Sequence, residues 1–168
     1  LSAAQAAEGV QIMSVHRSKG LEFPVVILAD LQKSFNRQDL SRPVLVHPEL
    51  GLGTERVDSA RHIRYDTISK TALALRLDRE AKAEEMRILY VAMTRAKEKL
   101  ILLDCRKHMD RKLRDLTALT GSPVMPEAVS AAGSPGEWLL LSLLHTDGAA
   151  ALHALAGIRP EVLTPLPE

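Results

Sequence analysis

Two apolar runs, Val10-Gln11-Ile12-Met13-Ser14-Val15 and Val25-Val26-Ile27-Leu28, flank a compact polar segment, His16 to Glu22, that carries a histidine, two cations, a glycine and a carboxylate. Apolar runs of this length bounded by turn signals read as buried strands, here Val10–Val15 and Val25–Asp30. A charged segment at the exit of a first strand stands where open parallel α/β sheets place their ligands. Farther along, Thr67 to Lys97 contains neither Gly nor Pro and consists mostly of strong helix formers. The pairs Asp78/Lys82 and Arg76/Glu80 have the i,i+4 spacing that supports a helix from its surface. One helix or two therefore cover this stretch and feed a third strand at Leu100–Asp104. Strand, helix and strand in this order predict an α/β fold with a parallel sheet.

Composition narrows the function classes. With 168 residues, 46% of them hydrophobic, the chain is long enough for one domain with its own core. Its 22 basic and 21 acidic residues leave a net charge of +1, so any contact with nucleic acid has to be local. The single cysteine, Cys105, excludes an internal disulfide framework and fits a reducing cytosol. The six histidines have no metal-ligand spacing, so no metal site is expected. An aromatic content of 3% argues against a single-strand binder built on stacking platforms. The apolar run Trp138 to Leu144 is too short to cross a bilayer and is expected to pack against the domain body; no membrane association is predicted.

Along the chain, residues 1–9 read as the end of an upstream inserted domain or linker, and 10–120 as the main α/β body. Within it, residues 31–43 read as loop, and Val44–His47 with Gly51–Thr54 as a small hairpin excursion. Residues 121–136, rich in Pro, Gly, Ser and Ala, read as a linker. Residues 137–168 read as a short helical extension, ending in Leu163-Thr164-Pro165-Leu166-Pro167-Glu168 on the way to a further domain.

Arg95 is singled out by helix geometry. Met86, Leu89, Tyr90, Met93 and Ala96 recur at helical spacing and form one apolar face. Arg95 falls nearly opposite, with apolar flanks of its own, which predicts a helix buried on most sides. A buried guanidinium needs a charged partner or an anionic ligand. An internal salt bridge to Glu84 or Glu85 is the structural alternative.

Two multi-residue motifs then carry a resemblance. His16-Arg17-Ser18-Lys19-Gly20-Leu21-Glu22-Phe23-Pro24 resembles motif V (TxHxxKGLE) of the superfamily 1 UvrD/Rep-like DNA helicases, with Ser14 where that family usually has Thr. Glu85 to Ala96 resembles their motif VI, E-x-R-L-x-Y-V-A-x-T-R-A. Within the family the similarity is to AddA-type helicase–nuclease subunits. It is carried by Asp30-Leu31-Gln32-Lys33-Ser34-Phe35-Asn36, Pro48-Glu49-Leu50-Gly51-Leu52-Gly53-Thr54 and Ser134-Pro135-Gly136-Glu137-Trp138-Leu139. The motif match covers about residues 10–104, and the looser AddA-type match runs to about residue 145.

The resemblance implies a partial RecA-like, P-loop NTPase-type parallel sheet flanked by helices. It further implies a fragment of a cytoplasmic, ATP-dependent 3′ to 5′ DNA helicase/nuclease that processes double-strand breaks for recombinational repair. Its partners would be single-stranded DNA, double-stranded ends and a second, AddB-like protein. Arg95 is implied as the catalytic arginine that reaches the ATP γ-phosphate, where a planar, permanently charged guanidinium suits the growing negative charge. Gly20 and Glu22 are implied nucleotide-binding residues, Glu22 through the ribose. Ser14 and His16 are implied contacts to the single strand, donating to phosphates without reading bases. The sequence has no GxxxxGK[ST] loop, so the phosphate cradle and the Mg²⁺ ligands are expected outside this chain, and the isolated chain is expected to be inactive. Two alternatives stay open: a UvrD-like repair helicase without nuclease, and a non-catalytic RecA-like module that binds DNA or a partner.

Four further expectations concern individual residues. Glu85 and Arg87 should pair to orient the motif VI helix. Tyr90 and Trp138 should lie in the core. Lys19 is expected either to neutralise phosphate or to brace acidic residues of an opposing domain. The cations Arg106, Lys107, Arg111, Lys112 and Arg114 should form a solvated face, with nucleic-acid contact as the other possibility.

Overall fold

A computed structural model describes residues 9–119 and 123–158. Most of the upstream stretch 1–9 and the terminal segment Leu163–Glu168 lie outside the described residues. Strand β1 (Phe23–Leu28) runs parallel to β5 (Ala96–Leu102), with Val26 beside Leu100, Ile27 beside Ile101 and Leu28 beside Leu102. Parallel pairing needs a long crossover. Here an antiparallel meander, β2 (Val44–His47), β3 (Gly51–Asp58) and β4 (Ile63–Asp66), and then the helix α1 (Ile68–Met93) supply it. The expected hairpin excursion is present, and β4 adds a third strand to it. The fold is α/β as expected, with helices against the parallel pair and the meander as a separate sheet.

The stretch without Gly or Pro forms one uninterrupted helix. Thr67 caps it, its hydroxyl accepting the Lys70 amide at 3.3 Å. Both anticipated i,i+4 pairs form, Asp78–Lys82 at 3.2 Å and Arg76–Glu80 at 2.7 Å. Lys70, buried at the first turn, ties α1 to the meander through Glu55 (2.7 Å) and Asp66 (2.8 Å).

Beyond β5 come α2 (Met109–Leu119), α3 (Pro126–Ala131), α4 (Pro135–Leu143) and α5 (Ala150–Ala156). The stretch read as linker thus carries α3, and the helical extension is broken into α4 and α5. Leu113 and Leu116 of α2 share one core with Leu140, Leu141, Leu144 and Ala156. Trp138 joins it, packing on Phe35 at a centroid distance of 4.7 Å while its indole N–H donates to the Val129 carbonyl at 2.8 Å. No helix among the described residues is long and apolar enough to cross a membrane.

Four expectations are corrected. Val10–Val15 is not a strand: Val10 and Ile12 are 92% and 98% exposed, and no described segment pairs with them. A strand exists only where a neighbour completes its ladder, and this run has none among the described residues; its last residue, Val15, enters the 3-10 turn that follows. α1 is not buried on most sides. Its flank carrying Tyr90 (69% exposed) and Met86 faces solvent, because no described element packs there. Arg87 pairs with Glu84 at 2.6 Å rather than with Glu85. The basic run is split: Lys107, Arg111 and Arg114 are exposed as expected, but Arg106 is nearly buried and Lys112 reaches Glu137.

Candidate active site

The polar segment folds into a 3-10 turn, Val15–Ser18, started by the Ser14 carbonyl, which accepts the amides of Arg17 (3.0 Å) and Ser18 (3.3 Å). The buried Ser18 hydroxyl closes the turn on the Val15 carbonyl at 2.7 Å. Gly20 then takes a φ of +81°, which an L side chain resists, and redirects the backbone into β1. Ser14, His16, Lys19 and Glu22 are all exposed around this bend.

Arg95 does not sit on the helix. α1 ends at Met93, and Arg95 occupies the turn leading into β5. The Phe23 amide donates to the Arg95 carbonyl at 2.9 Å, so the parallel ladder claims this backbone before another helical turn can form. The half-buried guanidinium folds back on three oxygens. Nε donates to the Val91 carbonyl at 3.0 Å, Nη1 to the Leu21 carbonyl at 3.2 Å and Nη2 to the Thr94 hydroxyl at 3.2 Å. None of these partners is a carboxylate, and the anticipated pair with Glu84 or Glu85 does not form among the described residues. Among the described residues three of its five N–H donors are engaged, which leaves one on each terminal nitrogen.

The two motifs therefore meet at the N-terminal ends of β1 and β5, not at the exit of a first strand. Arg95 touches the backbone at Leu21 and Phe23, and Glu22 lies between them, its carboxylate 3.1 Å from Lys97 Nζ. Gly20 and Glu22 flank Leu21, whose carbonyl holds Arg95, but Glu22 pairs with Lys97 and shares no hydrogen bond with Arg95 among the described residues. Ser14 and His16 belong to the preceding turn and share no hydrogen bond with Arg95 or Glu22 among the described residues. Lys97 and Thr94 were not singled out by sequence reading. Thr94 stands inside the quoted motif, but only the folded turn brings its hydroxyl toward the guanidinium.

The opposite ends of the strands are occupied. Arg106 follows β5 and bonds Asp104 through Nε (2.7 Å) and Nη2 (2.8 Å), Glu137 through Nη1 (3.0 Å) and the Ser134 hydroxyl (2.7 Å). The Asp104 hydrogen bonds above all hold its guanidinium more firmly protonated than usual. Burial pushes the Glu137 carboxyl up, but the bonds from Lys112, the Gly133 amide and Arg106 outweigh it and hold that carboxyl below its ordinary range. Every charge in this cluster is spent inside the protein.

Residues 1–107 match the UvrD-like helicase C-terminal domain. The chain belongs to this family. Among curated relatives it is similar to an ATP-dependent helicase/nuclease subunit of Moorella thermoacetica, 47% identical over 161 residues. That alignment covers 94% of this chain and 12% of the relative. The protein of the same name from Heliobacterium modesticaldum is 52% identical over 124 residues, 71% of this chain and 9% of that protein. That of Clostridium kluyveri is 61% identical over 93 residues, 55% and 8% of the two chains. The chain spans about a tenth of the length of the curated relatives it matches. The resemblance to UvrD-like helicases, and to AddA-type proteins within them, is borne out. In this UvrD-like chain the residues that resemble motifs V and VI are the ones that cluster at the head of the parallel pair.

Proposed function

We propose that this chain works as the C-terminal portion of the second RecA-like motor domain in a cytoplasmic, ATP-dependent 3′ to 5′ DNA helicase/nuclease of double-strand-break repair. The proposed division of labour gives the motor sheet to residues 10–120 and a helical extension to 137–168. An AddB-like protein is the proposed partner, and the full protein is the proposed exonuclease. The observation that carries the reading is the state of Arg95: a half-buried guanidinium held by three uncharged oxygens, with one N–H on each terminal nitrogen unengaged among the described residues. Such a group fits an anion. Gly20 lets backbone come close to a ligand, and Glu22 offers an exposed acceptor for ribose hydroxyls. The donor set therefore suits a nucleotide, whereas the phosphate loop and the Mg²⁺ ligands fall outside this chain.

Bound MgATP supplies the transferable γ-phosphoryl group. Arg95 contributes positive charge where the phosphoryl oxygens gain negative charge, presented by a planar guanidinium. Glu22 orients the nucleotide through the ribose. Ser14 and His16 donate to phosphates of the single strand, which fixes the strand without reading its sequence. Because Arg95 bonds the Leu21 carbonyl and the Phe23 amide, a pull on the arginine is transmitted to the turn that carries His16. Movement of this domain toward and away from the one that would carry the phosphate loop would thus shift the DNA contacts.

The reading is tested by unwinding of a duplex with a 3′ single-stranded tail, using the full-length protein that carries this chain. Unwinding should require ATP and be lost in Arg95→Ala. DNA binding without any ATP-driven unwinding would favour the non-catalytic module instead.

A further inference from the structure

The Thr94 hydroxyl has a defined polarity. It donates its proton to the Val91 carbonyl at 3.0 Å, so its lone pairs are turned toward Nη2 of Arg95 at 3.2 Å. The Val91 carbonyl also accepts Nε of the same guanidinium at 3.0 Å. The result is a closed triangle: one carbonyl from the last turn of α1, the hydroxyl of its C-cap and one side of the guanidinium in the turn that follows. Thr94 is the C-cap residue of that helix, with a φ of −78° and a ψ of 2°. Its β-branch leaves little freedom at χ1, so the hydroxyl cannot swing away cheaply. A long arginine side chain otherwise spreads over many rotamers, and fixing it costs entropy each time it must act.

We propose that Thr94 is the positioning residue of the Arg95 site: its hydroxyl holds the guanidinium so that one N–H of each terminal nitrogen faces outward for a nucleotide phosphate. The proposal rests on the reading of Arg95 as the nucleotide-contacting arginine. The Leu21 carbonyl holds Nη1 from the motif V side. Thr94 acts from the motif VI side and makes no contact with the nucleotide itself. Removing the hydroxyl leaves the charge in place but lets it wander. The loss then falls on turnover rather than on nucleotide affinity, because the oriented charge matters most in the transition state.

The experiment measures DNA-stimulated ATP hydrolysis by the full-length protein carrying Thr94→Val, Thr94→Ser, Arg95→Ala, and Thr94→Val combined with Arg95→Ala. Thr94 is exposed, and valine keeps its shape while deleting the acceptor. Thr94→Val is expected to lower kcat about tenfold with KM for ATP within about twofold, the size of one lost oriented hydrogen bond. Serine keeps the hydroxyl and should recover activity to within about threefold of the parent. In the Arg95→Ala background the valine should have no further effect, because the two residues act as one unit. A helix-end defect alone would lower kcat equally in both backgrounds, and serine would not rescue it; either result overturns the proposal. Thr94→Ala, with its melting temperature compared to the parent's, repeats the test should the valine disturb folding. If Arg95→Ala itself keeps parental turnover, the reading of Arg95 fails. If only Arg95→Ala lowers turnover and Thr94→Val does not, the reading stands and the positioning role of Thr94 is refuted.

Discussion

Arg106 Nη1 lies 3.0 Å from Glu137 Oε1, which clamps the N-terminus of α4 onto the end of β5. The same guanidinium bonds Asp104 and Ser134, and its side chain is only 11% exposed. Removing one partner from a nearly buried network strands the others. Arg106→Met should therefore destabilise the chain by about 3 kcal/mol, read from urea unfolding. A change under about 0.5 kcal/mol would show the cluster to be a surface feature.

The cluster also sets an acid limit. Glu137 has a carboxyl held below its ordinary value of 4.5: burial raises it, and the Lys112, Gly133 and Arg106 bonds together lower it by more. For a lowered native value, the unfolded chain takes up the proton first as the pH drops. The contribution of Glu137 is thus complete above pH 4.5 and is lost as the pH falls below it through the native value. The protection of the α4 amides, relative to their intrinsic exchange rate at each pH, should fall over that window in the parent. In Glu137→Gln the same amides should be less protected already at neutral pH, with little further loss of protection on acidification. Equal acid sensitivity in both proteins would assign the limit to other carboxylates.

Gly136 lies under the same cluster. A Cβ there would overlap Asp104 Oδ2 and come within 2.8 Å of Arg106 Nη2 and 2.9 Å of the Leu31 carbonyl. The Gly136 amide donates to that carbonyl at 2.8 Å, so the backbone cannot back away without losing a bond. Gly136→Ala should cost about 3 kcal/mol. Gly148, whose Cβ would meet nothing nearer than Thr146 Oγ1 at 3.8 Å, is the control and should change stability by less than about 0.5 kcal/mol. Equal melting temperatures for the two variants would contradict the packing described around Gly136.

What the sequence makes legible divides along physical lines. β1, β5, β2 and α1 follow from local signals: apolar runs punctuated by Pro and Gly, and a long stretch free of both. The ends of these elements do not. β1 stops at Leu28 because Asp30 adopts a left-handed φ of 65°. α1 stops at Met93 because Phe23, far away in sequence, takes the Arg95 carbonyl. Helical periodicity carried on through Ala96 could not register that tertiary bond, and so placed Arg95 on the helix. Val10–Val15 failed for a related reason, since an apolar run signals a strand but never its partner. Trp138 was readable as core because any buried site suits it. Tyr90 was not, because exposure depends on what lies opposite.

The site was legible as residues but not as a place. Gly20, Glu22 and Arg95 were all named by motif. Their meeting at the N-terminal ends of the strands depends on Gly20's positive φ and on the Phe23–Arg95 bond. The basic run looked like a surface because spacing alone cannot reveal that Asp104, Ser134 and Glu137 converge on Arg106.

In the proposed motor Arg95 supplies charge to the transition state of ATP hydrolysis. The most direct measurement is steady-state, DNA-stimulated ATP turnover by the full-length protein with Arg95→Ala, beside nucleotide affinity measured on the same preparation. Turnover should fall by about a hundredfold or more while affinity stays within about threefold. Unchanged turnover would contradict it and leave Arg95 as the brace between α1 and the Leu21 backbone.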